Sequence, residues 1–423
     1  MASSSAPRQR GTPVTPGQPL RPDTTATYSA SLTTHNDINT FKPSLGNGTD
    51  ETHRPTKAER PTSRTVAASG ESEEREDPHR LQEEETDFQD MDACFKAFDK
   101  DEDGFLSENE FGALCRALFR NDRGKPYPVD SNMLNHIFQI FDTNKDHVID
   151  KEEFRFCWQK WIKQVVRPVT ALLVVDVQND FISGSLSISN CPAGQHGEEV
   201  ICPINRLLDD VRFDIVVYTL DWHPENHVSF IDNVHLRPFH TNCKLTPDET
   251  SVYDTVVFDV NDDGTPMEQK MWPKHCVQNS WGAELHEELK MMEDAVYIHK
   301  GTNPDIDSYS AFWDNNKTSH TSLHEELQKK NVTDVFVCGI ATDVCVAYTA
   351  KHALEEGYRT MLIDDACRGV CDDDIKATME HTVASNGLVV QSTQVKSLAS
   401  GRDRPPVLAY RLALELAKKM KKK

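Results

Sequence analysis

Apolar residues follow two different spacings along the 423-residue chain, and the change between them divides it into two regions. Over residues 87–165 they recur every three or four positions, which predicts short amphipathic helices. Over residues 168–400 they form continuous runs, which are typical of strands buried on both faces of a sheet. Helix-like segments separate most of these runs, so the second region is predicted to be an α/β domain with a parallel sheet. The runs are residues 170–176, 214–221, 295–300, 334–340, 359–364 and 387–392.

The two ends of the chain lack such a core pattern. The first 80 residues hold 9 of the 22 prolines and few large apolar side chains, so they bury too little surface to offset chain entropy. We therefore expect a disordered arm with an acidic linker over residues 1–86. The segment 401–423 is expected to be a basic tail that includes a short amphipathic helix ending in lysines.

Composition limits the partners and the compartment. The net charge is −22, and residues 71–110 alone carry 17 acidic and 4 basic side chains, which argues against nucleic acid as a partner. No apolar run is long enough for a membrane-spanning helix, and the first residues lack the apolar stretch of a secretory signal. The 11 cysteines are therefore expected to be reduced thiols of a cytoplasmic protein, with nuclear localisation and homo-oligomerisation left open.

Two acidic loops in the helical region have the spacing of calcium ligands. Calcium takes six to eight oxygens, which an EF-hand loop supplies from positions 1, 3, 5, 7 and 12, with glycine favoured at position 6. The second loop has His147 at position 6, where a positive φ costs a non-glycine residue about 1 kcal/mol. We expect calcium at the first loop, and we leave binding at the second open. The candidate ligands are Asp99, Asp101, Asp103, the Phe105 carbonyl and Glu110, then Asp142, Asn144, Asp146, the Val148 carbonyl, Asp150 and Glu153.

Chemically reactive side chains follow the apolar runs, at the strand ends where open α/β sheets bind ligands. Cys345 follows a glycine-containing turn at the predicted start of a helix, where backbone amides lower the pKa of a thiol. Asp176 is placed to accept the thiol proton, and Lys300 to hold that acid. Amides near Ala341 and Cys345 could bind an oxyanion, so the pattern predicts a cysteine nucleophile.

A metal site is predicted beside this nucleophile. Asp221 and His223 are two residues apart at a strand end, so both side chains can point the same way. Mixed oxygen and nitrogen ligands suit a divalent transition metal, but two ligands hold it poorly. Spacing alone leaves His227 and His275 as candidates for the third ligand.

At this point residues 168–395 resemble the nicotinamidases of the isochorismatase-like cysteine hydrolase superfamily. The resemblance rests on LLVVDVQNDF (172–181), DWHPENHVSF (221–230), MWPKHCVQNSWG (271–282), IHKG (298–301), DSYSAF (307–312) and GIATDVCV (339–346). It implies a three-layer hydrolase domain that converts nicotinamide to nicotinate and ammonia in NAD salvage. With the EF-hand region in front, the chain is similar to the enlarged nicotinamidases of some invertebrates.

The resemblance also implies roles for single residues. It implies a catalytic trio of Asp176, Lys300 and Cys345. It implies a divalent metal, usually zinc, bound by Asp221, His223 and His275. It also implies an aromatic slot for the substrate ring, formed by Phe181, Trp272 and Tyr309. It further implies a cis peptide bond between Ile340 and Ala341 that directs an amide to the oxyanion. Two alternatives stay open: another amidase of the same superfamily, and a calcium-binding adaptor with an inactive hydrolase domain.

Overall fold

The structure, a computed structural model, describes residues 78–259 and 266–421. Most of the predicted arm and linker lies outside the described residues, but a helix begins at Pro78, before the expected start of the helical region. In the part of the chain that is described, no helix combines the length and apolar character needed to cross a membrane.

The carboxyl-terminal region contains a six-stranded sheet, in which every pair of neighbouring strands is parallel. The strands are β3 (Thr170–Val175), β4 (Ile215–Asp221), β7 (Val296–Lys300), β8 (Asp334–Ile340), β9 (Arg359–Arg368) and β10 (Leu388–Val390). Their order is β10-β9-β8-β3-β4-β7. The strands β4 and β7, which follow β3 in the chain, therefore lie on one side of it, whereas β8 and the strands that follow it lie on the opposite side. All residues of β3, β4 and β8 are buried, which is why these strands were visible in the sequence as continuous apolar runs.

Helices connect these strands and cover the sheet. They are α6 (Asn179–Ile182), α7 (Ile201–Asp210), α8 (Leu323–Lys329), α9 (Cys345–Glu355), α10 (Asp372–Ala384) and α11 (Ser392–Ala399). The predicted parallel α/β domain is therefore confirmed. The sequence did not predict the antiparallel hairpin of β5 (Thr255–Phe258) and β6 (Met267–Lys270), which has a small apolar core of its own.

The amino-terminal region is helical, as predicted. Its helices are α1 (Pro78–Phe98), α2 (Glu108–Leu118), α3 (Ser131–Phe141), α4 (Lys151–Cys157) and α5 (Lys163–Val166), and a π-helical turn at Trp158–Ile162 joins the last two. The short strands β1 (Leu106–Ser107) and β2 (Val148–Ile149) pair the two acidic loops antiparallel to each other. Phenylalanine side chains from α1 to α4 and the buried Trp161 form the core of this domain.

The end of the chain packs differently from the basic tail that the sequence suggested. Residues Pro406–Lys421 form α12, whose Ala409, Leu412 and Ala413 belong to the core of the helical domain. The indole Nε1–H of Trp161 donates a buried hydrogen bond of 2.7 Å to the Ala409 carbonyl. Only the lysine-rich end of α12 has the exposed, basic character that was expected.

Candidate active site and calcium loops

The strand order reverses between β3 and β8, which makes this a topological switch point. At such a point a crevice opens outside the carboxyl ends of the strands. Asp176 comes directly after β3, and Cys345 is the first residue of α9, after the turn that follows β8. Lys300 is the last residue of β7, and its side chain contacts both Asp176 and Cys345. The topology thus brings together three residues that are separated by up to 169 positions in the chain.

The ammonium group of Lys300 lies at the centre of this cluster. Its Nζ is 2.8 Å from Asp176 Oδ2, 3.2 Å from Cys345 Sγ and 2.5 Å from Asp221 Oδ1. The side chain is only 2% exposed, yet the two carboxylates hold the pKa of Lys300 well above its usual range against the effect of burial. Lys300 is therefore a buried cation that contacts the candidate base, the candidate nucleophile and a candidate metal ligand.

The protonation state of Cys345 differs from the sequence expectation. Burial raises the pKa of this thiol well above its usual value, and Asp176 and Asp221 add to the effect, although Lys300 opposes it. The helix start was expected to lower this pKa, but desolvation outweighs it. A buried neutral thiol needs a nearby base, and burial also raises the pKa of Asp176, which makes that carboxylate a better proton acceptor.

The candidate metal ligands Asp221, His223 and His275 converge beside this cluster, with their donor atoms within 4.8 Å of one another. His223 Nδ1 lies 2.8 Å from the Gly301 carbonyl, and His275 Nδ1 lies 2.7 Å from the Pro273 carbonyl. In each ring Nδ1 therefore donates a proton, so Nε2 is the nitrogen that faces Asp221 Oδ2, at 3.6 and 3.8 Å.

The electrostatics of these residues also fit a cation. Burial, with His223 nearby, lowers the pKa of His275 to about 4, so this imidazole is a neutral ligand at pH 7. Burial alone would raise the pKa of Asp221, but Lys300 and His223 hold it below its usual range. One carboxylate and two imidazole nitrogens form the mixed oxygen and nitrogen set that a divalent transition metal prefers.

His227, the alternative third ligand, packs against His223. The two rings stack with centroids 4.0 Å apart, and His227 Nδ1 is 2.8 Å from the Ser229 hydroxyl. Its buried Nε2 has no hydrogen-bond partner and is 4.0 Å from Asp307 Oδ1. His227 thus belongs to a second close group with His223 and Asp307, whereas His275 belongs to the group with Asp221.

Aromatic side chains line the crevice. Phe181, Trp272 and Tyr309 all contribute to its wall, and the Trp272 indole donates a hydrogen bond of 3.4 Å to the Tyr309 hydroxyl. The Ile340–Ala341 peptide bond is cis, and Ala341 lines the crevice beside Cys345. The candidate nucleophile, the three candidate metal ligands and the three aromatic side chains therefore line one crevice, and Asp176 and Lys300 contact them from behind its wall.

Several residues of the site were not predicted. Asp307 lines the crevice, and its Oδ2 accepts a hydrogen bond of 3.1 Å from Gln269 Nε2. The buried amide of Gln178 holds both the N–H and the C=O of Asp221, at 2.8 Å each, and Thr219 contacts Asp176. A signal existed for Asp307 and Gln178, because both lie inside motifs that follow strand ends. Thr219 gave only the weak signal of a hydroxyl within an apolar strand.

The calcium loops have the expected backbone. Position 6 has positive φ in both loops, 86° at Gly104 and 71° at His147. Position 7 is Phe105 in the first loop, directly before β1, and Val148 in the second, at the start of β2. Both loops end in capping boxes that hold Glu110 and Glu153 against the start of the following helix.

Most of the candidate carboxylate ligands lie close together in each loop, as expected. Donor oxygens lie within 4.8 Å of one another in two sets, Asp99, Asp101 and Glu110, and Asp142, Asp146 and Glu153. Buried Oδ1 atoms of Asp99 and Asp142 lack any hydrogen-bond partner. The other three candidate side chains make local hydrogen bonds. Asp103 accepts a hydrogen bond from the Phe105 N–H, Asn144 donates one to Asp146, and Asp150 caps the start of α4.

Comparison with known proteins supports this division of the chain. The family model of the isochorismatase domain matches residues 170–394, and that of the EF-hand domain pair matches residues 88–157. The nicotinamidase of Escherichia coli (strain K12) is 40% identical over 222 residues, which cover 51% of this chain and 92% of that protein. The nicotinamidase of Saccharomyces cerevisiae is 37% identical over 231 residues, 52% of this chain and 98% of that protein.

A solved structure of an Acinetobacter baumanii nicotinamidase and pyrazinamidase aligns with 35% identity and a TM-score of 0.45, over 54% of this chain and 98% of that one. The resemblance inferred from the motifs is thus confirmed by the family model and the sequence relatives. The family model spans more than half of the chain, and the matched relatives are covered almost completely. This chain belongs to the isochorismatase family of hydrolases and carries an EF-hand pair in front of the hydrolase domain.

Proposed function

We propose that this protein is a nicotinamidase that hydrolyses nicotinamide to nicotinate and ammonia, a step in NAD salvage. The observation that carries the proposal is the buried cluster in which Lys300 contacts Asp176, Cys345 and Asp221. The matched relatives named nicotinamidase support the choice of substrate. The complete trio also argues against an adaptor with an inactive hydrolase domain.

In the first half of the proposed reaction Cys345 Sγ attacks the carboxamide carbon of the substrate. Asp176 takes the thiol proton, since burial keeps the thiol neutral and makes the carboxylate more basic. The C–N bond then breaks, and Asp176 passes this proton to the departing ammonia. The product is a thioester on Cys345, whose tetrahedral precursor is stabilised by amides near Ala341 and Cys345.

In the second half a water molecule replaces ammonia. Asp176 takes a proton from the water as its oxygen attacks the thioester carbon, and the C–S bond breaks. Cys345 leaves as a thiolate and regains that proton from Asp176, which returns the enzyme to its starting state. The product, nicotinic acid, loses its carboxyl proton to water at pH 7 and is released as nicotinate. Lys300 keeps the negative charge on Asp176 or Cys345 compensated throughout.

We assign Asp221, His223 and His275 to a divalent metal, for which zinc suits the donor set. When bound, such an ion supplies a Lewis acid at the end of the crevice, toward which the ring nitrogen of a pyridine can point. Phe181, Trp272 and Tyr309 supply flat apolar surface for the ring. A slot of this kind also admits pyrazinamide, which has a similar ring and the same carboxamide.

The first test is ammonia release from nicotinamide by the full chain loaded with zinc, beside the Cys345→Ala variant. We expect turnover by the unmutated protein and a loss of at least about 10³-fold in the variant, because the covalent step is removed. Cys338→Ala is the matched control, since Cys338 is also buried but hydrogen-bonds the Leu173 carbonyl within the sheet. Absence of turnover by the zinc-loaded unmutated protein would exclude the nicotinamidase assignment.

We further propose that both EF-hand loops bind calcium. The support is the same in each loop: a buried aspartate oxygen without a partner at position 1, positive φ at position 6 and a gathered set of oxygens. His147 adopts the positive φ that position 6 requires, which supports the proposal for the second loop.

A further inference from the structure

We propose that Thr219 is a positioning residue that fixes which oxygen of Asp176 faces the catalytic centre, an inference that rests on the proposed amidase function. Thr219 lies in β4, beside β3, and is fully buried. Its hydroxyl Oγ1 donates a hydrogen bond of 2.5 Å to Asp176 Oδ1. Its carbonyl oxygen accepts a hydrogen bond of 3.2 Å from the Asp176 N–H.

The backbone of Asp176 needs such support. Asp176 has a φ of 49°, a left-handed conformation that is disfavoured for residues with a Cβ atom and persists only where the surroundings hold it. Thr219 contacts both the backbone N–H and the side chain of this residue. A single residue of the neighbouring strand therefore fixes both the main chain and the carboxylate of the candidate base.

The two contacts make the oxygens of the Asp176 carboxylate inequivalent. Oδ1 is occupied by the Thr219 hydroxyl, whereas Oδ2 is 2.8 Å from Lys300 Nζ and accepts no well-aligned hydrogen bond. A carboxylate oxygen of Asp176 also lies within 4.8 Å of Cys345 Sγ. Oδ2 is thus left with the capacity to take up a proton, and the hydroxyl of Thr219 prevents the carboxylate from rotating to exchange its oxygens.

The choice of residue at position 219 agrees with this role. The strand Ile215–Asp221 is buried along its whole length and otherwise presents mainly apolar side chains before its final aspartate. Valine has nearly the same shape as threonine and would suit packing alone, whereas a buried hydroxyl needs a partner. The partner here is the candidate general base.

The test compares Thr219→Val and Thr219→Ala, which remove the hydroxyl, with Thr219→Ser, which keeps it. Thr170→Val is the matched control, because the buried Thr170 hydroxyl donates to Asp214 Oδ2 at 3.1 Å at the amino end of β3, away from the crevice. Three quantities are measured on the full chain: kcat and KM for nicotinamide, the zinc content, and the rate at which iodoacetamide alkylates the Cys345 peptide by mass spectrometry.

We expect Thr219→Val and Thr219→Ala to lower kcat by about 10- to 100-fold, the range for losing a hydrogen bond to a charged group, with KM changed less than about twofold. Alkylation of Cys345 should slow in parallel, because the thiol loses an oriented base. Thr219→Ser should restore most of kcat, and Thr170→Val should match the unmutated protein. Zinc content should be equal in all five proteins.

Two results would overturn the inference. One is a kcat for both hydroxyl-free variants equal to that of Thr170→Val. The other is loss of zinc in parallel with kcat, which would place the effect on Asp221, two residues further along β4. If the unmutated protein does not hydrolyse nicotinamide, the proposed function fails separately, and the alkylation rates still decide whether Thr219 orients Asp176 toward the thiol.

Discussion

Lys300 shows how one buried side chain connects the two halves of the site. Its Nζ contacts the candidate base Asp176 and the candidate metal ligand Asp221, and it donates a further hydrogen bond of 3.1 Å to the Ser308 carbonyl. Two buried carboxylates this close would repel each other without a cation between them. Lys300 therefore has a structural role in addition to its proposed catalytic one.

Replacing Lys300 by methionine should abolish turnover and destabilise the fold by about 3–5 kcal/mol, because two buried carboxylates lose the ammonium group that they both contact. The measurement is the free energy of unfolding in urea for the zinc-free protein at pH 7. Lys329→Met is the control, since Lys329 pairs with Glu326 on the exposed surface of α8.

Adding Asp176→Asn to Lys300→Met should recover part of the lost stability, because one of the uncompensated charges is removed. A Lys300→Met protein within about 1 kcal/mol of the unmutated one would contradict the structural role.

The residues that the sequence identified were those next to strand ends. Asp176, Asp221 and Lys300 could be found because continuous apolar strands end abruptly in charged residues, and parallel strands bring such ends to one edge. Thr219 could not be found in this way, because a threonine within an apolar strand has the pattern of a packing residue. Its partner Asp176 is 43 positions away, and only the strand register brings the two together.

At the scale of elements, the sequence predicted the strands that appear in it as apolar runs. The six parallel strands were found because most of their positions are apolar, whereas β5 and β6 are short, partly exposed and connected through residues outside the described ranges. The helix α12 was visible as an amphipathic pattern, but its packing was not. Its contact with Trp161 joins positions 248 residues apart, which local periodicity does not report.

The calcium loops provide a prediction at this scale. The unmutated chain should bind two calcium ions by isothermal titration calorimetry, and Glu110→Gln and Glu153→Gln should each remove one, because each glutamate is the proposed final ligand of its loop. Glu152→Gln is the control, since Glu152 is exposed and pairs with Arg155 on the same helix. Two ions bound by Glu153→Gln with unchanged affinity would exclude the second loop as a calcium site.

At the scale of the whole molecule, the EF-hand pair and the active site lie at opposite ends of the same strand. The last helix of the pair, α5, ends at Val166, β3 begins at Thr170, and Asp176 follows its far end. Among the described residues, those that line the crevice all come from the hydrolase domain. The end of the chain then returns to the helical domain as α12, so the EF-hand core is completed by residues from beyond the hydrolase domain.

This arrangement separates stability from catalysis in a testable way. Leu412 on α12 is 8% exposed in the EF-hand core, so Leu412→Ala should lower the free energy of unfolding by about 2–4 kcal/mol through lost burial and a cavity. The kcat for nicotinamide at 25 °C should stay unchanged, because α12 does not line the crevice. Lys419→Ala, on the exposed side of the same helix, should alter neither quantity.

The free energy of unfolding and kcat together distinguish three outcomes for Leu412→Ala. Lower stability with unchanged kcat means that α12 serves the EF-hand core while the active site works independently of it. A parallel loss of kcat in the folded variant would mean that packing at α12 is transmitted along β3 to Asp176. Unchanged stability would mean that Leu412 contributes little to the core, in spite of its burial against the helices of the EF-hand pair.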